Sequence, residues 1–447
     1  MTPETRYART TDGRHVAYQA FGDGPFDLLV LRSWHSNIEH EWREPVLAGI
    51  YRRLSGLGRV LLLDRRGTGL SDPIDPDALP TLEDRIDDIR AVMAAVGSER
   101  VVPIGLAHGS GLCAVFAATH PEKTAGLALW APPWSVVKRQ PDERVAELLD
   151  AVRREWGTLE AARDTVRHGG PSRADDEAFI EWIRDNERMT GSAENAVAQA
   201  RLLVETNVDD VLPTIHVPTL VTWRRDSPGA DPAQYVAGRI PQAVTRELPG
   251  VDHMFISGDW RAALRAVEDF VESLEGTETD DDRILATVMF TDIVGSTRIA
   301  DELGDRTWRD LVERHHALVR RELARHRGRE IDTAGDGFFA AFDGPARAIR
   351  CALAIHRAVR ELGLALRIGL HAGECERAGT GLRGMAVHIG ARVAGLAGAS
   401  ETLVTSTVRD LVAGSGLTFH DRGRHQLKGV PAEWQIFAVD GVNLNPD

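Results

Sequence analysis

Apolar residues in this chain cluster in short runs on either side of an acidic, aperiodic stretch at residues 275–283. In the first part, the runs at 28–31, 60–63, 101–104, 126–130 and 219–223 are largely apolar, the pattern of parallel strands buried on both faces. Between 131 and 212 the spacing turns helical, as at 142–155 and 193–206, which predicts helices inserted over a sheet. The second part opens on an apolar strand at 284–290. A short strand at 330–332 and an apolar one at 338–342 then flank Gly335-Asp-Gly337, a hairpin signal. A helix around 307–325 carries Trp308, Leu311, Val312, Leu318, Val319 and Leu323 on or near one face, ready to pack on that sheet. The pattern divides the chain into residues 1–274, α/β with a mostly parallel sheet and a helical lid at about 132–212, a linker at 275–283, and an α+β part at 284–440.

With 447 residues there is enough chain for two or three domains with full cores. The net charge of −14 argues against nucleic acid as a main partner. Lysine occurs only at 123, 138 and 428, so nearly all cationic chemistry falls to arginine. Cys113, Cys351 and Cys375 lie far apart, without metal-ligand or disulfide spacing, and read as buried small hydrophobes in a reducing compartment. The N-terminal residues lack a signal-peptide core, and no apolar run approaches the roughly 18 residues of a spanning helix. The expectation is a soluble, cytoplasmic protein with no membrane partner.

Two segments carry the chemistry. In Phe290-Thr-Asp-Ile-Val-Gly-Ser-Thr297, Asp292 sits where a strand ends, and Gly295, Ser296 and Thr297 offer backbone N–H groups to phosphate at a helix start. In Thr333-Ala-Gly-Asp-Gly337, Asp336 occupies the tip of the hairpin. Two carboxylates on neighbouring strands beside a phosphate cradle suit a pair of Mg²⁺ or Mn²⁺ ions acting on a nucleoside triphosphate.

These segments, with Arg329-Glu-Ile-Asp-Thr-Ala-Gly-Asp-Gly-Phe-Phe-Ala340, Gly384-Met-Ala-Val-His-Ile-Gly-Ala-Arg392 and Leu427-Lys-Gly-Val430, resemble the class III nucleotidyl cyclases over about residues 284–439. The resemblance implies a ferredoxin-like α+β domain that makes cyclic AMP from ATP with two metal ions per site. Asp292, Asp336 and the Ile293 carbonyl would be metal ligands, Arg392 the transition-state arginine, and Lys428 a phosphate contact. His388 stands where the family most often has a ribose-contacting asparagine. Asp332 and Gly381 occupy the positions that read adenine through a lysine and an aspartate in adenylate-specific members. A carboxylate there can accept from the adenine amino group or from guanine N1–H and N2–H₂, so GTP stays open as a substrate. The family builds its site between two such domains, which implies a head-to-tail homodimer. A catalytically silent ligand receptor is the rival reading.

The first part resembles the α/β-hydrolase fold. Asp64-Arg-Arg-Gly-Thr-Gly-Leu-Ser-Asp72 matches a family turn, residues 105–121 the nucleophile elbow and its helix, and Leu248-Pro-Gly-Val-Asp-His253 the loop of the catalytic histidine. The two resemblances together are those of the hydrolase-fused cyclases of mycobacteria and related actinobacteria. The elbow, however, reads Gly105-Leu-Ala-His-Gly109, with Ala107 where a serine would attack. His253 keeps the position of the general base, with Asp226 as candidate orienting acid. An esterase using Ser110 is the alternative. The expectation is a pseudo-hydrolase that scaffolds, regulates or binds a small apolar ligand, its oxyanion donors near Trp34 and His108.

Overall fold

The computed structural model describes residues 2–33, 35–76, 78–137, 141–275, 282–379, 381–412 and 414–442. Trp34 and most of the acidic stretch lie outside the described residues. The chain folds as two compact units, Met1–Asp281 and Asp282–Asp447.

The first unit holds strands β1 (Arg6–Arg9), β2 (His15–Phe21), β3 (Phe26–Leu31), β4 (Gly58–Leu63), β5 (Val101–Leu106), β6 (Leu127–Trp130), β7 (Thr219–Arg224) and β8 (Val244–Leu248). They form one sheet in the order β1-β2-β4-β3-β5-β6-β7-β8. Strands β3 to β8 run parallel to one another, while β2, antiparallel to β4, and β1, antiparallel to β2, are additions at one edge. The five apolar runs of the sequence are β3 to β7, buried because helices cover both faces of a parallel sheet. Strand β8 gave no such signal: it is a solvent-exposed edge strand reading Val-Thr-Arg-Glu-Leu. Between β6 and β7 lie helices Trp134–Val137, Asp142–Glu155, Leu159–Gly169, Glu177–Thr190 and Ala193–Glu205. The second and last of these pack along a seam of Leu149, Val152, Trp156, Ala196, Val197 and Ala200.

The second unit contains β9 (Arg283–Ile293), β10 (Arg329–Ala334), β11 (Gly337–Phe342), β12 (Leu366–Ala378), β13 (Gly381–Arg383), β14 (Glu401–Thr405), β15 (Leu417–Gln426) and β16 (Glu433–Val442). The order is β10-β11-β9-β12-β14-β16-β15, with β13 paired to β12. Strand β9 is central, antiparallel to both β11 and β12. It begins at Arg283, a residue the sequence pattern assigned to the linker. Helix Asp305–Arg325 buries Val319 and Leu323, as its apolar spacing requires, but also His315 and Glu322. Trp308, Leu311, Val312 and Leu318 are only half-buried. All three cysteines are buried and free. Among the described residues no helix is long and apolar enough to cross a membrane.

Candidate active site

Strand β9 delivers Asp292, and the β10–β11 turn delivers Asp336. The two central residues of that turn are Gly335 and Asp336, with Gly335 at φ 63°, the glycine-first arrangement of a type II′ hairpin. Pairing of Thr291 with Phe338 brings the turn against the end of β9. The Ile293 N–H then donates to Asp336 Oδ2 at 3.1 Å. A Cβ on Gly337 would stand 2.9 Å from the Thr291 carbonyl oxygen and 3.8 Å from Asp292 Oδ1, so only glycine lets the strands close here. Asp292 faces β12, where Arg367 stands opposite it in register and donates to Oδ2, from Nε at 2.8 Å. Beyond the strand, Gly295 at φ 70° opens helix Ser296–Leu303.

Two histidines of helix Asp305–Arg325 hold the turn from behind. A carbonyl oxygen only accepts, so each ring donates from Nε2: His315 to Asp336 O at 3.2 Å and His316 to Gly335 O at 3.0 Å. Burial keeps His315 neutral, its pKa lowered to about 4 with His316 adding to the effect.

The other expected residues form separate groups. On helix Met385–Leu396, His388 and Arg392 lie one turn apart on an exposed face, flanked by the exposed Met385 and Leu396. Arg392 Nε donates to the Lys428 carbonyl at 3.2 Å, which joins those two residues. Asp332 on β10 is exposed and accepts from the Thr333 N–H, while Gly381 opens β13, a strand that touches β10. Among the described residues, no hydrogen bond or ion pair links Asp292 or Asp336 to His388, Arg392 or Lys428.

The donor set fits hard divalent cations: two carboxylates on adjoining strand ends, next to the Ile293 backbone. Among the described residues no three or more His, Cys, Asp and Glu side chains gather into a metal-binding group. An ion here would thus rest on the two carboxylates, the backbone and ligand oxygens.

In the first unit, β5 runs into helix Gly109–Thr119 through Ala107, at φ 49°, a conformation costing a non-glycine residue about 1–3 kcal/mol. A Cβ on Gly105 would lie 2.7 Å from Ser110 Cα, and one on Gly109 only 2.2 Å from the Leu31 carbonyl oxygen. The elbow geometry therefore persists with a methyl group at its apex. Ser110 is buried, and its hydroxyl donates to the Gly105 carbonyl at 3.1 Å, a structural bond rather than a poised nucleophile. The expected pairing of Asp226 with His253 is not formed. Asp226 is exposed, whereas His253 Nδ1 is buried without a hydrogen-bond partner. A Cβ on Gly229 would lie 2.5 Å from Nδ1, so backbone crowds the place a carboxylate would need. Burial, and then Arg224, lower the pKa of His253.

Comparison with known proteins agrees with this division. The family model for the adenylate and guanylate cyclase catalytic domain matches residues 281–441, and that for the alpha/beta hydrolase fold matches residues 40–258. The chain joins an α/β-hydrolase-like domain to a class III cyclase domain. A Rhizobium meliloti protein, provisionally named adenylate cyclase 3, is 27% identical over 157 residues. That match spans 33% of this chain but only 27% of the relative's length. A non-heme haloperoxidase of Rhodococcus erythropolis is 25% identical over 262 residues, 55% of this chain and 92% of that protein. A crystal structure of a hydrolase from Pseudomonas aeruginosa PA01 superimposes with TM-score 0.52 at 22% identity, over 60% of this chain and 98% of its own.

Within the cyclase domain, sequence reasoning missed Arg367, His315 and His316. Arg367 is 75 residues from Asp292, and only the β9–β12 register brings them together. His315 had a local signal. It interrupts the apolar row of Leu311, Val319 and Leu323, and a polar group there needs a buried partner.

Proposed function

We propose that the cyclase domain converts ATP to cyclic AMP and pyrophosphate at a site completed by a second copy of the chain. The observation carrying this reading is that the expected residues fall into two groups with no hydrogen bond or ion pair between them among the described residues: Asp292 and Asp336 at adjoining strand ends, and His388 with Arg392 on an exposed helix face, where Arg392 bonds the Lys428 carbonyl. Two Mg²⁺ or Mn²⁺ ions would neutralise triphosphate charge and acidify the ribose hydroxyl. Asp292, Asp336 and the Ile293 carbonyl would hold them, with Ser296 and Thr297 N–H groups against the phosphates. From the partner copy, Arg392 would meet charge developing on the phosphates, Lys428 would fix their position, and His388 would donate to the ribose. Asp332 accepts hydrogen bonds equally well from either purine, and Gly381 offers no side chain. Discrimination between ATP and GTP should therefore be loose, since each missing polar base contact is worth about 1–3 kcal/mol.

The hydrolase-like domain, on this reading, no longer cleaves esters. Ala107 offers no nucleophile, Ser110 is bonded into the backbone, and His253 lacks an acid partner. The test is the purified chain with Mn²⁺ and either nucleotide, assayed for both cyclic products. Cyclic AMP formation with measurable competition by GTP is the expected result. Binding without turnover would favour the silent receptor instead.

A further inference from the structure

The apolar face of lid helix Asp142–Glu155 serves two neighbours. Leu149 and Val152, with Trp156 just beyond the helix, pack on helix Ala193–Glu205. Nearer the N-terminus, Val145 and Leu148 line a cleft of about 530 Å³, where Pro133, Trp134 and Val204 complete an apolar wall. Leu148 is 42% exposed and Val145 half-buried, so the helix leaves part of this face to solvent. Single exposed apolar residues are ordinary on a protein surface, but five apolar residues around one concavity make the lining of a ligand pocket.

The polar groups of the wall define what fits there. Arg144 and Glu147 lie one turn apart on the lid helix, both exposed and opposite in sign, so a charged ligand meets no unbalanced partner. Ser135 also lines the cleft, but its Oγ is enclosed without a partner. That leaves the ring of His108, the residue after the elbow apex, which stands in the same wall. The Ser33 hydroxyl engages its Nδ1 at 3.1 Å, whereas Nε2 has no hydrogen-bond partner among the described residues and is not one of the enclosed atoms. Burial, and then His253 and Arg65, lower the His108 pKa to about 3, so the ring is neutral at pH 7. With Nδ1 committed, Nε2 presents an N–H donor or a lone-pair acceptor, according to which way the Ser33 hydroxyl points. A ligand hydroxyl satisfies either state, because it both donates and accepts.

We propose that this cleft binds a small uncharged alcohol, its hydrocarbon body against Trp134, Val145, Leu148 and Val204 and its hydroxyl on His108 Nε2. This narrows the apolar ligand expected from sequence to one with a single polar group, and it stands independently of the cyclase assignment.

The test uses the full chain, with calorimetry and thermal melting, and compares phenylbutanol with butylbenzene, phenylbutyrate and phenylbutylamine. Phenylbutanol should bind, and the acid and the amine, which share its body but carry a charge, should bind on the order of ten-fold or more weakly. His108→Phe should weaken phenylbutanol about five-fold, the equivalent of one hydrogen bond, and leave butylbenzene unchanged. Leu148→Glu, at an exposed helix position, should weaken both on the order of ten-fold without lowering the melting temperature of the ligand-free protein. Failure of phenylbutanol to bind the parent chain, or binding of the acid or the amine as tightly as the alcohol, would overturn the proposal. Equal weakening of phenylbutanol and butylbenzene by His108→Phe would reduce the ring to packing and remove the basis for an alcohol. Undiminished binding in Leu148→Glu would put the ligand outside this cleft and refute the assignment. If His108→Phe does not fold, the four ligands compared on the parent chain and on Leu148→Glu still decide.

Discussion

Asp292→Ala and Arg392→Ala test the shared site most directly, because the structure separates their partners. Asp292 contacts Arg367 across the β9–β12 pair, and Arg392 contacts the Lys428 carbonyl. The Arg367 side chain is 41% exposed, so losing its carboxylate leaves a solvated cation rather than a buried one. Removing Arg392 deletes one exposed hydrogen bond, a loss of at most about 1 kcal/mol. Both variants should therefore fold and melt near the parent temperature, and each alone should be inactive. Mixed in equal amounts with free subunit exchange, about half of all dimers are mixed, and each mixed dimer has one of its two sites intact. Activity should then return to roughly a quarter of the parent value per chain. The assay is cyclic AMP formation before and after mixing, with exchange followed independently by a fluorescence label on each variant. If exchange occurs and activity stays at the background of the single variants, the residues belong to one chain's site and the shared model fails.

His316→Ala should raise the Mn²⁺ concentration needed for half-saturation about five-fold, the equivalent of one hydrogen bond of about 1 kcal/mol to the Asp336 turn. Mn²⁺ binding followed by electron paramagnetic resonance checks this, and His316→Gln, which keeps an N–H donor, should restore the parent value. Ala107→Ser should fold normally yet remain about 10⁴-fold below a complete triad, since His253 Nδ1 has no carboxylate. Fast cleavage of a chromogenic ester by that variant, or labelling of the parent by a serine-directed probe, would show a working triad after all. Burial raises the Asp64 pKa from 3.8 to about 7, so its contribution to stability is complete below about pH 4 and lost as pH climbs through 7. The melting temperature of Asp64→Asn relative to the parent should accordingly rise across that window, and a flat difference would mean Asp64 titrates normally.

How far the sequence could be read depended on whether contacts were local. Strands β3 to β7 announced themselves because burial on both faces demands unbroken apolar runs. The exposed edge strand β8 carries no such demand and stayed silent. The placement of Asp292 at a strand end and of Asp336 in a hairpin turn was legible because each lies inside a short motif whose backbone geometry is encoded by its own glycines. Arg367 was not, since its role depends on the register between two strands far apart in sequence. Asp226 misled for a related reason: its position in the loop after β7 matches an orienting acid, but motif spacing cannot report that Gly229 backbone occupies the approach to His253 Nδ1.

The elbow shows why losing a nucleophile need not mean losing a binding site. Its strained turn is held by close packing on both sides, Gly105 against Ser110 and Gly109 against the Leu31 carbonyl, and neither contact involves the residue at the apex. Ala107 can therefore replace a serine while the crossing of β5 and helix Gly109–Thr119 stays fixed. That crossing seats His108 in the wall of a cleft lined also by Trp134, Val145, Leu148 and Val204. In a hydrolase elbow the covalent chemistry rests on one hydroxyl, whereas the turn rests on the backbone around it. A fold with this division of labour can lack the nucleophile and keep its pocket, so the presence of the fold does not by itself specify esterase chemistry.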